Sequence, residues 1–210
     1  MFWVIGGALE AFSTQTCMLL WMKATKRFTL SQNNTYPLGI TAVGMFCTLL
    51  TAIAIDASRK HMPWGILACA LQLVACIILI IPKLADGAIL AGYYLAGTAY
   101  MIQPVCFTWA NKILLKTGDD AARAVTLYAM NGMSSVLFAW WGIVLYPATD
   151  AANHFRKGTI AMFVVAGVLV VWIFLVWFIE RHVERKAERL YEPEHVEEKV
   201  SHETVETVKA

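Results

Sequence analysis

The chain has 210 residues, 59% of them hydrophobic and 15% charged, with a formal net charge of +2. Soluble domains carry about 25% charged residues, so this composition excludes an ordinary soluble domain. The small net charge gives no basis for nucleic-acid capture.

Six long apolar runs follow one another in chain order, at 2–22, 38–55, 63–81, 88–109, 125–145 and 160–179. A helix needs roughly 20 apolar residues to cross the hydrocarbon core. The runs lack the alternation of a lipid-facing barrel, so helices are the remaining way to satisfy every backbone group. The predicted fold is therefore an all-α membrane protein with six transmembrane helices in a domain over 1–181. A charged tail over 182–210 follows, expected to be disordered beyond Pro193. No basic stretch precedes the first run, so no signal peptide is expected. Because Met1 stands at the helix edge, the chain reads either as a minimal N-terminus or as part of something longer.

Across the six runs Glu10 is the one formally charged residue. It lies roughly 12 Å into the first helix, near the midplane. Ser13, Thr14 and Cys17 follow at helical spacing and make one face polar. This suits the wall of a water-filled cavity, with Glu10 as a solute contact or proton acceptor; the alternative is a packing glutamate. The joint over 23–36 reads as a long polar loop, and its Asn33-Asn34-Thr35 is a glycosylation sequon. Between the second and third runs, Asp56, Arg59 and Lys60 form a short charged turn, either a lock between two helices or an ordinary basic loop.

The fourth run sets Tyr93, Gly97, Tyr100 and Pro104 on one face, with Gln103 beside them. Pro104 removes a helix hydrogen bond, so this run either kinks near a site or tolerates a structural proline. The fifth run carries Tyr128, Asn131, Ser135, Ala139 and Gly142, spaced by three or four. Asn131 falls about 15 Å from its inner end and can both donate and accept hydrogen bonds. The alternative there is small-residue packing with Asn as interhelical glue.

Trp3, Trp21, Tyr36, Trp64, Trp109, Tyr146 and Trp177 lie near run ends, as interfacial anchors do. Nine Lys and Arg residues fall on one side of six crossings and six on the other, which favours cytoplasmic termini. All five cysteines lie inside apolar runs without a C-x-x-C pair or a His cluster. They read as small packing residues, with no metal site. There is no Gly-rich phosphate loop, H-E-x-x-H or G-x-S-x-G, so no enzyme and no cofactor is expected.

Several segments together resemble a known group. They are Leu20-Trp21-Met22-Lys23 with Asn33-Asn34-Thr35-Tyr36-Pro37; the P-x-x-x-x-W-x-N pattern from Pro104 through Trp109 to Asn111; Arg123-Ala124 followed by Met130-Asn131-Gly132; and Trp140 to Pro147 with Asp150-Ala151 and Phe155. In order and spacing they are similar to the C-terminal half of fungal major facilitator permeases of the anion:cation symporter group, the allantoate/pantothenate permease family. The similarity runs from about residue 2 to residue 185. Asp56, Arg59 and Lys60 keep part of that family's loop motif without its glycines, and Ala152 stands where the pattern has Pro.

The resemblance implies two three-helix inverted repeats forming one half of a facilitator. It implies uptake of a small organic anion such as pantothenate, allantoate or nicotinate, with protons, across the plasma membrane. Glu10, Thr14, Tyr100, Gln103, Tyr128 and Asn131 would line the path. An N-terminal half or a second copy would complete it. The rival reading is a six-helix scaffold or an inactive truncated permease.

Overall fold

The computed structural model describes residues 14–81, 84–116, 118–146 and 155–209. Among them every regular element is helical and there is no strand. In order these are α1 (Thr14–Thr25), α2 (Leu30–Ser58), α3 (Met62–Ile80), α4 (Asp86–Ala96), a 3-10 segment (Gly97–Met101), α5 (Ile102–Leu115), α6 (Asp120–Leu145) and α7 (Arg156–Lys209). Three segments are long and apolar enough to cross a membrane: Leu30–Ser58, Met62–Ile80 and Arg156–Val183, with mean hydropathies of 2.2, 2.3 and 2.9. Each coincides with one of the apolar runs.

The chain divides into two compact units, Met1–Trp172 and Ile173–Ala210. In the first, α3 runs antiparallel to α4 and α5. A Cβ on Gly92 would meet Ile78 and Leu79, while further along the pair His61 stacks on Trp109 with ring centroids 5.8 Å apart. α2 runs parallel to α4 and α5. A Cβ on Gly39 would meet the Tyr94 ring at 2.6 Å, and one on Gly44 the Tyr100 ring at 2.5 Å. Glycines at 39 and 44 thus let the two helices approach closely enough for tyrosine rings to lie on bare backbone.

α1 closes one side of this core through Cys17, Met18, Trp21 and Met22, all buried. Trp21 packs on Tyr93 at 6.0 Å and on Phe28 at 5.7 Å. At the joint after α1, Arg27 donates to both carboxylate oxygens of Asp86, at 2.9 and 3.2 Å. Large apolar side chains on α2 such as Leu38, Phe46, Leu49 and Ile53 stay exposed. In water such a surface would drive association; against lipid it is solvated.

Several features differ from the sequence reading. The joint over 23–36 is not a long loop, because α2 begins at Leu30. Thr29 caps it: its hydroxyl accepts from the Gln32 N–H, and the Gln32 side chain accepts from the Thr29 N–H at 2.9 Å, a reciprocal capping box. The sequon asparagine Asn33 therefore sits in the first turn of a helix, with its side-chain oxygen buried. Trp21 and Trp109 are core residues, 1% and 2% exposed, rather than interfacial anchors. Phe28 and Tyr93 pack on the first indole and His61 on the second.

Within the second unit the Arg181 guanidinium lies 4.4 Å from the Trp177 ring centroid. In this structure α7 runs on from Arg156 to Lys209. The tail's Glu and Lys residues are good helix formers.

Candidate functional site

The geometry of the site begins with Pro104. A proline inside a helix has no N–H for the carbonyl four residues earlier, here that of Tyr100. The chain answers by tightening into the 3-10 segment Gly97–Met101 just before α5. The Thr48 hydroxyl of α2 then donates to the Tyr100 carbonyl at 3.2 Å, supplying the bond that the proline removes. The adjustment re-aims the start of α5, and Gln103 is exposed beside the break.

A cleft of about 610 Å³ opens there, lined by Thr48 of α2, Gln103, Pro104 and Phe107 of α5, and Leu127, Tyr128 and Asn131 of α6. Counting 1.5 Å per residue, Thr48 lies ~15 Å from Ser58, Gln103 ~18 Å from Leu115, and Asn131 ~16 Å from Asp120. All three helix ends belong to the same side of the bundle, so the three polar groups share one depth. For comparison, that distance is about half the thickness of a hydrocarbon core of some 30 Å. Among the described residues no hydrogen bond engages the Gln103 amide, the Tyr128 phenol or the Asn131 amide. Tyr128 is 79% exposed. The cleft therefore offers two amides and a phenol with donors and acceptors free, on a wall otherwise made of Pro104, Phe107 and Leu127.

Of the six residues assigned to the path, Gln103, Tyr128 and Asn131 line this one cleft. Tyr100 does not: its ring lies on Gly44 and its carbonyl is held by Thr48. Thr14 is buried in α1 and is not part of the cleft lining. Glu10 lies outside the described residues. Thr48 belongs to the site and was missed, because a threonine in an apolar run carries no signal until its cross-helix partner is known.

The Asp56, Arg59 and Lys60 turn is built differently from an ionic lock. Arg59 ends α2 in the left-handed region (φ 53°), with its N–H on the Ile55 carbonyl at 2.7 Å. Among the described residues no ion pair joins Asp56 to either cation. What ties α2 to α3 is the Trp64 indole N–H donating to the Ser58 hydroxyl at 3.1 Å.

A second feature escaped the sequence reading. Gln72 in the middle of α3 is 0% exposed, and both its amide nitrogen and oxygen are buried without a hydrogen-bond partner among the described residues. Interpolating between the two anchors of the α3 pairing puts it level with Thr98, inside the 3-10 segment. Thr98 turns its own hydroxyl to the Leu95 carbonyl at 2.7 Å. Among the described residues no group of three or more His, Cys, Asp or Glu could hold a metal ion.

Three fungal proteins are similar to this chain. A pantothenate transporter of Schizosaccharomyces pombe is 33% identical over 180 residues, covering 85% of this chain and 34% of that protein. A pantothenate transporter of Saccharomyces cerevisiae is 32% identical over 166 residues, covering 78% and 32%. A vitamin H transporter of Saccharomyces cerevisiae is 20% identical over 167 residues, covering 80% and 28%. The chain thus spans about a third of the length of the curated relatives it matches. No family model matches it, and no solved structure does. The chain is a homologue of fungal transporters, and the resemblance to fungal permeases drawn from its motifs holds. Its relatives are transporters, not enzymes. With apolar helices of membrane-crossing length, it is an integral membrane protein.

Proposed function

We propose that this homologue of fungal vitamin permeases forms one half of a secondary transporter for a small organic acid of the pantothenate type. In this reading all six apolar runs cross the plasma membrane, with both termini cytoplasmic. They form two three-helix inverted repeats in a domain over 1–181, with 182–210 as a charged cytoplasmic extension. The half corresponds to helices seven to twelve of a major facilitator. Gln103, Tyr128 and Asn131 face the solute, and Glu10 couples its movement to protons. A second six-helix half, or a second copy of this chain, supplies the opposite wall, and rocking of one half against the other gives alternating access.

The observation that carries the proposal is the cleft ~15–18 Å in from the helix ends, where unpartnered amides and a phenol from two helices converge. Exposed polar groups at that depth are costly unless they meet water, a solute or another helix. The similarity to two pantothenate transporters gives the solute its class.

The test is uptake of radiolabelled pantothenate, allantoate and nicotinate by fungal cells lacking their own permeases. The cells express this chain alone or together with an N-terminal half from a related permease. The proposal expects pantothenate uptake in at least one arrangement, abolished by Asn131→Ala. Surface-localised protein without uptake of any of the three acids, in both arrangements, would refute it.

A further inference from the structure

We infer that the cleft recognises the neutral, hydrogen-bonding part of its solute, the hydroxyl and amide groups, and does not hold the carboxylate. The inference rests on the transporter reading above and concerns which end of the solute this half reads.

The lining residues are Thr48, Gln103, Pro104, Phe107, Leu127, Tyr128 and Asn131, and none is charged. A carboxylate out of bulk water needs a cation, or several converging N–H donors at a helix N-terminus. Left without them it costs several kcal/mol. Among the described residues no helix begins at the cleft with a free turn of N–H groups: α5 follows directly from the 3-10 segment, and its first turn contains Pro104. The N-terminus of α6 at Asp120 lies ~16 Å from Asn131.

The hydrogen-bonding groups point the same way. A carboxylate only accepts. The cleft presents acceptors as well as donors: the Gln103 and Asn131 amide oxygens, and the Thr48 hydroxyl, whose proton is committed to the Tyr100 carbonyl. Those oxygens repel a carboxylate. A solute hydroxyl or amide both donates and accepts, so it satisfies both kinds of group at once. Pro104, Phe107 and Leu127 form an apolar wall suited to the alkyl part between such groups.

The experiment uses the full chain in lipid nanodiscs and equilibrium binding of tritiated pantothenate. Two competitors are compared: pantothenol, in which the carboxylate is replaced by a primary alcohol, and β-alanine, which keeps the carboxylate but lacks the hydroxylated acyl amide. Pantothenol is expected to compete within about threefold of unlabelled pantothenate, and β-alanine at least about a hundredfold more weakly. Asn131→Ala and Gln103→Ala are each expected to weaken pantothenate and pantothenol by the same factor, about tenfold. Pantothenol binding tenfold or more weaker than pantothenate would overturn the inference while leaving the transporter reading intact. Absence of saturable binding by any of the three, both for the chain alone and for the chain paired with an N-terminal half from a related permease, would overturn both.

Discussion

The Thr48 hydroxyl donates to the Tyr100 carbonyl at 3.2 Å, replacing from a neighbouring helix the bond that Pro104 removes from its own. The pair explains why a proline is tolerated in the middle of an apolar helix. It also explains why the cleft forms where it does, since Thr48, Gln103 and Pro104 all line it. Removing the hydroxyl with Thr48→Val should lower thermal stability by about 1 kcal/mol. In a Pro104→Ala background an N–H returns to the Tyr100 carbonyl, so the same change should cost close to nothing. A double-mutant cycle on melting temperature in detergent measures the coupling; strictly additive losses would show that the two residues act independently.

Gly44 is where α2 meets the Tyr100 ring, with 2.5 Å between a built Cβ and the ring edge. Gly44→Val should force the ring aside and cost about 1–3 kcal/mol. Gly132 on α6 has nothing within 4 Å of such a Cβ, so Gly132→Ala should be neutral or gain up to about 1 kcal/mol from helix propensity. Chemical denaturation of the two variants side by side distinguishes a packing role from a general intolerance of substitution.

Gln72 carries a buried amide with neither atom partnered among the described residues. Gln72→Leu keeps the volume and removes the polar atoms, so it should raise stability by about 1 kcal/mol or more. A lower melting temperature for this variant would mean that the amide has a partner, such as an ordered water at the level of the 3-10 segment.

The Arg27–Asp86 pair is bidentate but exposed, 69% and 40% at the two side chains. Arg27→Ala should therefore change stability by no more than about 1 kcal/mol. That small effect should fade at high salt. A large, salt-independent loss would indicate that the joint carries more of the fold than the pair's exposure allows.

Much of the helix order was legible in the sequence, because lipid leaves a chain few alternatives to long apolar helices. The elements misread were those where a polar sequence folds as helix. The segment 30–36 has the composition of a loop, yet Thr29 and Gln32 form a capping box whose signature is readable in hindsight.

The cleft was half legible. Gln103, Tyr128 and Asn131 stood out as polar residues at mid-helix, whereas Thr48 and the burial of Gln72 depend on which helices face each other, and one sequence holds no such pairing. Tyr100 was assigned from its place on a helix face, and the 3-10 turn before Pro104 rotates that face onto Gly44.

The central claim is that the solute occupies the cleft between α2, α5 and α6. Leu127→Cys places a thiol in the cleft wall without removing a hydrogen-bonding group, and Val125→Cys places one two residues away, outside the lining. The measurement is the rate of thiol modification by a membrane-permeant maleimide, with and without saturating pantothenate. The native cysteines are replaced, and radioligand binding is verified for both variants. The account predicts that pantothenate slows modification of the Leu127→Cys thiol at least about tenfold and leaves that of Val125→Cys unchanged. Equal rates at the Leu127→Cys thiol with and without bound pantothenate would contradict it.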